Sequence, residues 1–125
     1  MATIEVTEAN FGATVQQDGI VLIDLWAEWC GPCRMFGPIF EAASEANSDI
    51  VFGKVDTEAN QGLAAALDVR SIPTLMAFRD GVMLFNQAGA LPEANLNELI
   101  GAIRNVDMDA VHAEIAKANS GESAE

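Results

Sequence analysis

The sequence predicts a single α/β domain, in which a central mixed β-sheet is flanked by helices on both faces and an extra helix follows at the C-terminal end. Two observations carry this reading. Strand-like and helix-like segments alternate along most of the chain, in the order βαβαβα and then ββα, a pattern that builds a mixed sheet with helices on both sides. Residues 20–26 form a near-continuous apolar run, which suits a central strand covered on both faces. The length agrees: 125 residues argue for one domain. A chain of this size buries roughly two-thirds of the surface its unfolded form exposes, enough for a core without staples.

The elements follow in order. Residues 3–6 read as a short strand, and Thr7 is placed to cap a helix running to about residue 16. Asp18-Gly19 turns the chain into the apolar run, the second strand. A helix is expected over residues 32–47, with Pro38 inside it removing one hydrogen bond to the Arg34 carbonyl and bending it. Residues 50–55 form the next strand. Residues 58–67 are rich in Ala and Leu and hence helical. Residues 74–79 and 82–87 flank Asp80-Gly81, the two-residue signal of a hairpin. Pro92 suits a first helical position, and Leu96, Leu99, Ile100 and Ile103 share one apolar helical face. Met108, Val111, Ile115 and Ala118 share another, with Asp107 as its cap, and this face is expected to pack on the domain. We divide the chain into a domain over residues 1–104, a helical extension over 105–119, and a disordered Ser/Gly/Glu-rich tail over 120–125.

Composition bounds the function. Half the residues are apolar and a fifth are charged, as in soluble globular proteins. No apolar run approaches the ~18 residues of a membrane span. The start of the chain has neither a basic region nor an apolar stretch, so no signal peptide is read, and the expected compartment is a reducing cytoplasm. Nineteen acidic residues against six basic ones give a net charge of −13, which repels phosphate backbones and anionic membranes. Nucleic acid and membrane are therefore not expected partners.

The chemistry lies in Trp26-Ala27-Glu28-Trp29-Cys30-Gly31-Pro32-Cys33-Arg34, where the central strand ends and a helix begins. Sites in open α/β sheets sit at such carboxyl ends of strands. A structural disulfide here would close a loop of about four residues and contribute at most about 2 kcal/mol. A structural zinc normally takes four Cys or His ligands, and the chain holds only Cys30, Cys33 and His112, so no metal is expected. A CxxC beside a βαβ pattern is a redox signal. A thiolate at a helix N-terminus meets unpaired N–H groups and the positive end of the dipole. Cys30, just ahead of the helix, is thus the expected nucleophile. Cys33, inside the first turn, is expected to be less accessible and to act as the resolving thiol. Pro32 adds no charge between them, whereas a basic residue there would stabilise the thiolate and favour an oxidant.

Asp24 interrupts the apolar run, and a carboxylate in a central strand is costly unless paired or protonated. Desolvation is expected to raise its pKa, and Lys54 from the neighbouring strand to oppose that shift.

These pieces, with Ile72-Pro73-Thr74 and Ala88-Gly89-Ala90, closely resemble the thioredoxin family, from near the start to about Arg104. The resemblance implies a thioredoxin-like fold and general protein-disulfide reduction. It makes Pro73 a cis-proline facing the cysteines, and Asp24 a proton acceptor for Cys33. Trp29, Gly31, Pro32, Ile72, Pro73, Gly89 and Ala90 become an apolar docking surface, while Trp26 is expected to be buried behind the site. It implies disulfide-containing protein substrates, a separate thioredoxin reductase drawing on NADPH, no cofactor held by the chain itself, and a monomer. Leu25 stands where phenylalanine is common in the family, and Arg34 where lysine is frequent. Two other functions remain open on the sequence: the same chemistry run in reverse, as an oxidase or isomerase, and a redox-independent binding module or co-chaperone using the same surface. The last would survive replacement of both cysteines by serine.

Overall fold

The structure is a computed structural model that describes residues 2–123, with side chains to residue 119. Its strands are β1 (Thr3–Glu5), β2 (Ile20–Trp26), β3 (Val51–Asp56), β4 (Thr74–Arg79) and β5 (Val82–Ala88). Its helices are α1 (Phe11–Gln16), α2 (Gly31–Ala46), α3 (Gln61–Ala66), α4 (Glu93–Arg104) and α5 (Met108–Ser123). The five strands form one sheet in the order β1-β3-β2-β4-β5. β1, β3 and β2 run parallel, and β4 and β5 complete the sheet antiparallel, so the predicted mixed architecture holds.

Alternation along the strands divides the core in two. Leu22, Phe52, Leu75 and Ala77 face α2 and α4, where Phe36, Phe40, Leu96 and Ile100 cover them. Val21, Ile23, Leu25, Val55 and Met76 face the other way, with Phe11 of α1 and Leu63 of α3 packed against them. The central strand β2 is therefore buried along nearly its whole length, as its unbroken apolar run requires. The β4–β5 hairpin turns at Asp80-Gly81, both with positive φ (53° and 82°), the twist that suits a two-residue turn. Asp80 Oδ1 accepts from Gly19 N at 2.8 Å, tying this hairpin to the turn that opens β2.

Several ends differ from the sequence reading. α1 starts at Phe11, because residues 7–10 close a separate turn in which Thr7 N donates to Asn10 Oδ1 at 2.8 Å. α3 starts at Gln61, because Asp56 draws the preceding residues into a turn, accepting from Glu58 N on Oδ1 and from Asn60 N on its carbonyl. Pro92 caps α4 from extended geometry rather than entering it. α5 runs to Ser123, so backbone expected to be disordered is helical over residues 120–123, while residues 124–125 lie outside the described residues. Nor does the apolar face of α5 pack along its length: Met108 is buried and Val111 half-buried, but Ile115 and Ala118 are exposed. α5 instead projects from an anchored first turn.

Candidate active site

Cys30 and Cys33 stand at the carboxyl end of β2, joined by a disulfide. Cys30 is the N-cap of α2, and its Sγ accepts from Cys33 N at 3.2 Å. Pro32 follows within the first turn, where a missing N–H costs nothing. The sulfur thus sits against the free N–H groups of a 16-residue helix, an environment that favours a thiolate once the bond is reduced. Accessibility does not separate the cysteines as expected: they are 4% and 5% exposed. Bonded to each other and packed with Ala27, Trp26 and Ile72, both are covered in the oxidised form.

The residues expected to form a docking surface converge from three loops. The Ile72–Pro73 bond is cis, and the Ile72 carbonyl oxygen lies 3.5 Å from Cys30 Sγ. Gly89, at φ 111°, donates its N–H to the Pro73 carbonyl at 2.8 Å, bringing the 88–90 segment beside the proline. Pro73 itself is buried and Ile72 and Ala90 half-buried, while Gly31, Pro32 and Gly89 are exposed. Trp29 is 66% exposed beside Cys30. Arg34 Nε donates to the Glu28 carbonyl at 3.1 Å, pinning the loop that carries Trp29.

Asp24 is 1% exposed, with Oδ1 lacking any hydrogen-bond partner. Burial pushes its pKa from 3.8 up to about 7, against the opposing pull of the Lys54 ammonium. Lys54 stands opposite it in the β2–β3 register, both on the face that α2 covers. Trp26 is not buried as expected. It is half-exposed because its ring lines an open groove, though its Nε1 is sealed without a partner. Lys54 Nζ lies 5.3 Å from the centroid of that ring. The groove, of about 430 Å³, also touches Cys33, Gly37, Glu41 and Lys54.

Two residues at this site escaped the sequence reading. Met35, 71% exposed just past Cys33, enlarges the apolar rim. Glu41 lies 3.9 Å from Lys54 Nζ through Oε1. Its signal was the spacing Cys33, Gly37, Glu41, one helical face at i, i+4 and i+8. Among the described residues, no group of three His, Cys, Asp or Glu could hold a metal ion, and no helix is long and apolar enough to cross a membrane.

The Thioredoxin family model matches residues 2–102, which include the whole sheet and the entire site. The chain belongs to the thioredoxin family. It is 56% identical over 116 residues to a Streptomyces coelicolor protein named as a candidate thioredoxin 2, covering 93% of this chain and 87% of that one. It is 42% identical over 103 residues to a thioredoxin of Staphylococcus aureus, with 80% and 96% covered. The solved thioredoxin of Malassezia sympodialis superposes with a TM-score of 0.72 at 32% identity, over 82% of this chain and 91% of that one. As in other thioredoxins, the Cys30–Cys33 pair is a centre of dithiol–disulfide exchange. The relatives in Streptomyces and Staphylococcus also make the family match independent of the motif alone.

Proposed function

We propose that this thioredoxin is a general protein-disulfide reductase, acting as a cytoplasmic monomer recharged by a thioredoxin reductase. The observation that carries the reading is Cys30 at the N-cap of α2 with an uncharged Gly31-Pro32 spacer, since neither residue adds a cation that would make the dithiol unusually stable. The Cys30 thiolate attacks a substrate disulfide. A mixed disulfide forms, and the first substrate sulfur leaves as a thiolate. Cys33 then gives its proton to the Asp24 carboxylate, and its thiolate attacks Cys30 Sγ. That step forms the Cys30–Cys33 bond and releases the second substrate thiolate. Two electrons pass from the pair to the substrate.

A pKa near 7 suits Asp24 to both taking and returning a proton at neutral pH, and Lys54 tunes it. Trp29, Gly31, Pro32, Ile72, Pro73, Gly89 and Ala90 receive the substrate backbone and apolar side chains around the cysteines.

The test is trapping. Reduced Cys33→Ser should accumulate a mixed disulfide through Cys30 with a protein substrate, because the resolving thiol is gone, whereas Cys30→Ser should accumulate little. Accumulation through Cys33 instead would reverse the two roles.

A further inference from the structure

Resting on the reading that Lys54 tunes Asp24, a further part can be assigned to the helix that covers them. The Lys54 ammonium has two acidic neighbours of different kinds. Asp24, across the sheet on β2, is sealed from solvent. Glu41, on α2, stands at the groove, and its carboxylate is fixed: Oε1 accepts from Thr3 Oγ1 of β1 at 2.6 Å and lies 3.9 Å from Lys54 Nζ. Gly37, one turn earlier, also borders the ammonium: a methyl group there would stand 3.9 Å from the same nitrogen, an ordinary contact. On its other side the ammonium meets the Trp26 ring.

The remaining charged groups around Lys54 are less well placed. Glu5, its β1 register partner, is exposed. Asp56 of β3 lines a second groove, beside Thr3, Glu5 and Lys54, and its Oδ1 accepts from Glu58 N. Glu28, in the loop before α2, is exposed, and Arg34 of α2 is committed to the Glu28 carbonyl. Cys33 borders the groove but is held in the disulfide.

We propose that Glu41 is a positioning residue for the exchange reaction: it holds the Lys54 ammonium against α2, in competition with Asp24, and so limits how strongly Lys54 stabilises the buried carboxylate. Glu41 touches neither substrate nor sulfur; it acts through Lys54. Its consequence is a pH setting. With Lys54 shared, Asp24 keeps its proton to higher pH than it would if the ammonium were its own.

The experiment follows the Asp24 carboxyl carbon by NMR as a function of pH in the oxidised full-length protein, where no thiol titrates beside it. Lys54→Met should raise the Asp24 midpoint, since an attracting cation is lost. Glu41→Gln, which keeps the shape and the acceptor for Thr3, should lower it by about half a pH unit, the size of one partly screened charge. In the Lys54→Met background the same Glu41→Gln change should have little effect. The pH profile of mixed-disulfide resolution should move down with the midpoint in Glu41→Gln. An unmoved midpoint in Lys54→Met removes the underlying reading, and this proposal with it. A shift in Lys54→Met combined with an unmoved or raised midpoint in Glu41→Gln overturns the Glu41 proposal alone. So does an undiminished Glu41→Gln effect without Lys54, which would mean that Glu41 acts directly by its own charge.

Discussion

A carboxyl group in the middle of a buried sheet is an electrostatic liability, and Asp24 carries that liability through the strand the fold depends on most. Unfolded, it titrates at its ordinary 3.8; folded, burial lifts it to about 7. Between those values the folded chain keeps a proton that the unfolded chain has released, so the contribution of Asp24 to stability falls as pH rises from about 4 to 7 and levels off above. Asp24→Asn removes the titration. We expect it to flatten that slope in the oxidised protein and to be more stable at pH 8 by up to about 4 kcal/mol, as measured by urea denaturation across the pH series. The same variant should slow mixed-disulfide resolution while changing the first attack by Cys30 less. Equal stability at pH 8, with an unchanged slope, would mean that the carboxyl is not charged at a cost. Asp24 was legible in the sequence because a charge inside an apolar run cannot be overlooked. Glu41 was not, because a glutamate in a helix is ordinary until its partners Thr3 and Lys54, on two other elements, are brought to it.

At the scale of elements, local pattern decided what packing alone did not have to. β2, β4 and β5 follow the apolar runs and the Asp80-Gly81 turn, and α2 and α4 follow the spacing of Phe36, Phe40, Leu96 and Ile100. The short helices α1 and α3 start later than their sequence patterns suggest, because turns made by Thr7, Asn10 and Asp56 compete for their first residues. The C-terminal helix differs for another reason: its apolar spacing is real, yet one sheet face is already covered by α2 and α4 and the other by α1 and α3. What joins it to the domain is local. Met108 is buried, and Arg79 Nη1 donates to the carbonyls of Ile103, Arg104 and Val106 at 2.9, 3.2 and 3.1 Å, closing the end of α4. A chain ending at Asn105 should therefore reduce disulfides at nearly the full rate while losing about 1–3 kcal/mol, mainly for Met108. A truncated protein that is folded but inactive would show instead that the extension takes part in the chemistry.

For the molecule as a whole, the sheet order sets the site where β2 stops and α2 begins, with the Pro73 and Gly89 loops closing round it. The two cores hold that junction from both faces, so the cysteines and the buried carboxyl are positioned by the ends of β2 and α2, and the proline by the loop that enters β4. As proposed above, this junction drives electrons outward, from the cysteine pair to other disulfides. The cap position of Cys30 supplies the nucleophile, and a spacer that carries no cation sets the direction. The most direct test mixes the fully reduced protein with an equal amount of oxidised glutathione, each at about 1 mM, at pH 7 and quantifies thiols and disulfide at equilibrium after acid quenching. A reductant gives nearly complete transfer, leaving the Cys30–Cys33 disulfide and two glutathione thiols for each protein molecule. A protein that stays largely dithiol beside oxidised glutathione would contradict it and would identify the pair as an oxidant.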